Sequence, residues 1–100
     1  MNHKHDSKAE SNYCDQLGRD KNVIEIIDQP KVYMTLAKIL YKPDFHVTTK
    51  DSTYYVDVKG MRTAVFQIKM RLWKKYGPVG SRLMIVSGNK TQLVFGPEAI

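Results

Sequence analysis

Two runs rich in β-branched and aromatic residues, Asp44-Phe45-His46-Val47-Thr48 and Thr53-Tyr54-Tyr55-Val56-Asp57, flank the polar stretch Thr49-Lys50-Asp51-Ser52. Strand formers on both sides of so short a turn favour an antiparallel hairpin. With the turn centred between Lys50 and Asp51, Thr48 faces Thr53, His46 faces Tyr55 and Asp44 falls opposite Asp57. Opposed residues share a sheet face with Cβ atoms about 5 Å apart, so this register sets two carboxylates side by side. Such a pair weakens the hairpin unless a cation or a shared proton stands between its members. A divalent metal is the expected occupant. Strand alternation puts Lys59 on the face of Asp57 and turns Val56 and Val58 into the opposite layer. The Val58 peptide carbonyl offers a further oxygen to a hard cation such as magnesium, which prefers carboxylate, carbonyl and water ligands. A metal held this way polarises a phosphate and lowers the pKa of its bound water, while Lys59 orients that water or offsets developing charge. These are the parts of phosphodiester hydrolysis.

The Asp-x-Lys triplet occurs twice, at Asp6-Ser7-Lys8 and at Asp57-Val58-Lys59. Only the second copy lies on an apolar strand, follows a Pro-Asp pair at hairpin distance and runs into a glycine, Gly60, ahead of a helix. The competing reading is a hairpin with two solvated aspartates.

Pro43-Asp44 followed by Asp57-Val58-Lys59 resembles the PD-(D/E)xK signature of the restriction-endonuclease-like nucleases, which include Holliday-junction resolvases and the cutting subunit of some transposases. A narrower likeness joins Asp6-Ser7-Lys8-Ala9-Glu10, Gln29-Pro30, Pro43-Asp44-Phe45, Val56-Asp57-Val58-Lys59-Gly60 and Thr63. Together, over about residues 6 to 76, these look like a small phage and prophage family catalogued as a domain of unknown function. The resemblance implies that Glu10, Asp44 and Asp57 are acidic metal-site residues and that Lys59 is the catalytic lysine. It also implies that the helix before the sheet brings Glu10 over the strand aspartates. The chain departs from the family at His5, where an aromatic residue is common, and at Val56, where an acid is common. Neither position carries the chemistry.

One hundred residues suit a single domain with its own core and leave no room for a separate recognition domain. A formal charge of +6 and a sequence pI near 9.5 suit a polyanionic partner such as nucleic acid, although basicity also serves solubility. Cys14 is the only cysteine, so no internal disulfide forms, and the simplest compartment is a reducing cytoplasm, that of the host cell for a phage protein. The polar N-terminus and the lack of any apolar run of about 18 residues argue against a secretory signal and a membrane span.

Along the chain, residues 1–5, with His3 and His5, read as a flexible leader. A first helix is expected from Ser7 to about Leu17, stopped by Gly18, with Ala9, Tyr13 and Leu17 as its apolar face. Glu10 is either the partner of Ser7 in a capping box or a metal-site acid, and the two roles can coexist. Val23 to Asp28 reads as a strand. Gln29-Pro30 marks a break, with Gln29 bonding backbone in the turn, and Val32 to Ala37 is a second extended run that competes with a helix over Lys31 to Tyr41. Thr63 to Tyr76 is the clearest helix, closed by Gly77-Pro78, with Val65, Ile68, Leu72 and Tyr76 forming the stripe that should cover the sheet, flanked by Phe66 and Trp73. Lys69 lies in that stripe and either snorkels or holds a phosphate. Arg62, Arg71, Lys74 and Lys75 are expected to track a nucleic-acid backbone, or to form a plain solvated face. Arg82 to Val86 reads as a buried strand parallel to the hairpin's second arm, Ser87 to Lys90 as a turn and Gln92 to Phe95 as an edge strand.

The expected architecture is α/β, a restriction-endonuclease-like mixed β-sheet flanked by helices in the order α-β-β-β-α-β, over residues 6–95, with residues 96–100 as a C-terminal tail. The expected function is a DNA endonuclease dependent on Mg2+, with Mn2+ able to substitute, that recognises junctions or branches. Without a reading module, specificity would come from shape, from a homodimer such as the resemblance implies, or from a protein partner. Two other classes compete: a noncatalytic nucleic-acid-binding module that retains the fold, and a basic scaffold with no nucleic-acid role.

Overall fold

The computed structural model describes residues 8–34, 39–59 and 63–98. In chain order the elements are α1 (Lys8–Arg19), β1 (Val23–Asp28), β2 (Val32–Tyr33), β3 (Leu40–Tyr41), β4 (Phe45–Thr49), β5 (Thr53–Val58), α2 (Ala64–Tyr76), β6 (Arg82–Ser87) and β7 (Lys90–Phe95). The main sheet has the order β1-β4-β5-β6-β7, and β2 and β3 form a separate two-stranded ribbon. Strands β1, β4 and β5 make an antiparallel meander, α2 carries the chain across to β6 parallel to β5, and β7 returns antiparallel. The α-β-β-β-α-β order is thus present, with the small ribbon inserted after β1 and β7 added at the edge.

Period-2 alternation divides the apolar residues between two layers. Phe45, Val47 and Val56 pack against Cys14 and Leu17 of α1 on one face. On the other, Phe66, Met70 and Trp73 of α2 meet Leu83, Ile85, Val94 and the ribbon residues Val32, Met34 and Tyr41. Strand β6 feeds both cores, with Leu83 and Ile85 on the α2 side and Met84 and Val86 on the α1 side, as its continuous apolar run requires.

Three local expectations need correction. Gly18 does not stop the first helix, which continues to Arg19. An isolated glycine costs a helix roughly 1 kcal/mol without ending it, and the chain turns instead at Asp20, whose carboxylate accepts the Asn22 N–H at 2.9 Å. The buried residues of α1 are Glu10, Cys14 and Leu17; Tyr13 packs half-buried on the same core, as expected, whereas Ala9 is exposed. The face of α2 also differs. Phe66, Met70 and Trp73 are buried and Leu72 of the expected stripe packs half-buried beside them, whereas Val65, Ile68 and Tyr76 are 62%, 54% and 48% exposed. Large rings remove more apolar area from water than branched aliphatics do, and the Trp73 indole sits edge-on to both Tyr41 and Tyr55.

Thr63 caps α2 by accepting the Phe66 N–H at 3.1 Å. Gly77 ends it with φ −67°, so handedness is not its reason: a Cβ there would lie 2.6 Å from the Trp73 carbonyl oxygen. The run from Val32 appears as β2 alone, and residues 35–38 lie outside the described ones. The main-chain N–H of Gln29 donates to the Asp44 carbonyl at 2.8 Å. Among the described residues, no helix is long and apolar enough to cross a membrane.

Candidate active site

The hairpin register is the one its turn predicts. Thr48 pairs with Thr53, Val47 with Tyr54, His46 with Tyr55 and Phe45 with Val56, so the next position sets Asp44 against Asp57. Thr49 holds the turn: its backbone N–H and its hydroxyl both reach the Ser52 carbonyl, at 2.8 and 3.1 Å. Asp44 lies immediately before β4. Its Oδ2 accepts the Val58 N–H at 2.7 Å, and its carboxyl is close enough to that of Asp57 to raise the Asp57 pKa. An extended residue sends its N–H and C=O to the same side of a strand, so the Val58 carbonyl shares the Asp44 side.

Asp57 is buried on the α2 side of the sheet. Its Oδ2 accepts a hydrogen bond from the Tyr41 hydroxyl of the β2–β3 ribbon. Lys59 Nζ stands 3.5 Å from Asp57 Oδ1 and 5.0 Å from the centre of the Phe66 ring. Oδ1 is buried and has no hydrogen-bond partner, since 3.5 Å is an ion pair too long for a good N–H···O contact.

Burial is the largest influence on Asp57 and pushes its carboxyl up from 3.8 to about 7, with the Asp44 carboxyl adding to the rise. The Tyr41 hydroxyl and the Lys59 ammonium oppose it by favouring the anion. Burial, then the Asp57 charge, drives the Tyr41 phenol well above its ordinary range, so it remains a donor at any working pH. Asp57 therefore holds its proton up to near-neutral pH. The oxygens of Asp44 and Asp57 fit a hard divalent cation: both donors are carboxylates, and one buried oxygen accepts no hydrogen bond.

Asp44, Asp57 and Lys59 come together. Glu10 is buried in the first turn of α1, and among the described residues no group of three or more His, Cys, Asp or Glu could hold a metal ion. Lys69 is half-buried, with its ammonium 5.6 Å from the Tyr41 ring centre. Arg71, Lys74 and Lys75 are exposed on α2. The His3 and His5 leader, the first Asp-x-Lys copy up to its lysine, the Ser7 cap, Gly60 and Arg62 lie outside the described residues.

Tyr41 and Lys42 were not among the expected site residues. A cavity of about 300 Å³ opens between β3 and the first half of α2, lined by Leu40, Tyr41, Lys42, Lys59, Thr63, Val65, Phe66 and Lys69. Only their position just before Pro43-Asp44 hinted at a place near the acids.

No curated protein matches the sequence. Residues 1–90 match the family described as a protein of unknown function, DUF1064, and the chain belongs to that family.

Proposed function

We propose that the protein is a metal-dependent phosphodiesterase of the PD-(D/E)xK kind, a DNA endonuclease using Mg2+ or Mn2+. The observation that carries the reading is the convergence of Asp44, Asp57 and Lys59 at one end of a mixed sheet, with Lys59 also lining a basic cavity. Asp44 and Asp57 are the residues that would hold the metal, with the Val58 carbonyl on the same side. When bound, a divalent ion supplies Lewis acidity toward the phosphate and a more acidic water. Lys59 offers its ammonium to the charge that develops on phosphate oxygens. Tyr41 fixes the carboxylate of Asp57 through Oδ2 and leaves Oδ1 available. The basic balance of the chain and the exposed Arg71, Lys74 and Lys75 on α2 support a nucleic-acid substrate held by its backbone. The preference for junctions or branches, a homodimer and a targeting partner belong to the same proposal.

A second reading is a noncatalytic nucleic-acid-binding module. It is favoured by the Tyr41 hydroxyl already occupying one oxygen of Asp57. Labelled junction, flap, duplex and single-stranded DNA, incubated with magnesium or manganese beside the Asp57→Asn variant, separate the two. Metal-dependent cutting lost in the variant supports the nuclease. Binding without cutting supports the module, and the absence of any binding at moderate salt leaves only a basic scaffold.

A further inference from the structure

The lysine-lined cavity has features the carboxylate pair does not explain. Three of its lining residues, Lys42, Lys59 and Lys69, are cationic and none is acidic. Two of the ammoniums rest against rings that themselves line the cavity, Lys59 against Phe66 and Lys69 against Tyr41. A ring face attracts a cation without consuming all its N–H donors, so each ammonium is positioned and still able to donate. Asp57 offsets Lys59 from behind at 3.5 Å, while no carboxylate among the described residues forms an ion pair with Lys42 or Lys69. The capped start of α2 adds to the positive field, because Thr63 lines the cavity and the first turn carries no acidic side chain. At about 300 Å³ the space is at the small end for ligand pockets, which suits a phosphate with its sugar better than a larger body.

The geometry points to a phosphate-binding subsite in which Lys42 and Lys69 take the nucleotide phosphate next to the one being cut. Tyr41 links the two places: its hydroxyl touches Asp57 and its ring carries Lys69, so one side chain's length separates the subsite from the acids. Naming the ligand as a nucleotide rests on the nuclease reading. The anion site itself does not. The phosphate could be an internal diester or a terminal monoester, and three ammoniums favour the doubly charged monoester.

The test is an amide-shift NMR titration in chelator-containing buffer with inorganic phosphate, thymidine 5′- and 3′-monophosphate, and the thymidine dinucleotide lacking terminal phosphates. Saturable shifts confined to Tyr41, Lys42, Lys59, Thr63, Val65, Phe66 and Lys69 are expected, strongest for a monophosphate. Lys69→Ala and Lys42→Ala should each weaken binding roughly tenfold, as expected for loss of a charged hydrogen bond, with Lys21→Ala unchanged. Lys69→Met, which keeps the stem on the Tyr41 ring, should weaken binding as much as Lys69→Ala. Dinucleotide binding matching the monophosphates assigns an internal diester. No shifts at these residues, wild-type binding by both lysine variants, or binding of inorganic phosphate alone would overturn the proposal. Monophosphate binding by a protein that cuts no DNA would refute the nuclease and leave the subsite standing.

Discussion

Replacing Asp57 by asparagine should change how stability depends on pH, in a direction the burial of this acid dictates. In metal-free buffer the folded protein holds the Asp57 proton up to about pH 7, whereas an unfolded chain releases it near 3.8. Between those values the native state binds more protons than the unfolded state, so stability is full below about pH 4 and falls as pH rises toward about 7. The interval is roughly three pH units at about 1.4 kcal/mol each, which bounds the loss at on the order of 4 kcal/mol. Asparagine removes the titration while keeping an oxygen for the Tyr41 hydroxyl and offering Asp44 an N–H donor. Urea unfolding in chelator at half-unit pH steps should show wild-type stability declining across this window and a flatter curve for Asp57→Asn. The variant should equal or exceed the wild type at neutral pH. Parallel curves for the two proteins would refute the argument, because Asp57 would then ionise in the fold as it does in water.

Other expectations follow from the same contacts. Magnesium or manganese at a hundredfold excess over its dissociation constant should raise wild-type stability by about 2.7 kcal/mol and leave Asp57→Asn unmoved, as read by thermal melts; equal shifts in both would place the ion elsewhere. Lys59→Ala should retain metal binding by calorimetry while turnover falls roughly a hundredfold or more, and a large loss of metal affinity would make Lys59 an organiser of the acids instead. Tyr41→Phe deletes the donor that favours the Asp57 anion, so the carboxyl resonance of Asp57 should titrate at higher pH than in the wild type; an unchanged titration would remove Tyr41 from the site. Gly77→Ala should destabilise by about 1 to 3 kcal/mol, because its Cβ would lie 2.6 Å from the Trp73 carbonyl; wild-type urea stability would show that the helix end yields freely.

How far the site was legible depends on how local its causes are. The hairpin could be read because a four-residue turn and period-2 alternation determine which side chains oppose each other, and the observed pairs from Thr48–Thr53 to Phe45–Val56 follow that register. The Thr63 cap and the Gly77-Pro78 stop of α2 were legible for the same reason. The orientation of α2 was not. Its sequence carries two overlapping apolar stripes, one through Val65, Ile68 and Tyr76 and one through Phe66, Met70 and Trp73, and periodicity alone does not rank them. The sheet and the Tyr41 and Tyr55 rings supplied the pocket that Trp73 fills.

The sequence by itself determined the α/β order, the strand register and the meeting of Asp44 with Asp57, since each depends on residues close along the chain. Only the tertiary structure decided what surrounds those acids. Tyr41 reaches Asp57 from sixteen positions away across a ribbon with ambiguous local preference, and Lys69 arrives at the same cavity from α2. Such contacts form because packed layers bring distant segments together to bury apolar area, and no local spacing rule encodes which polar groups are carried along.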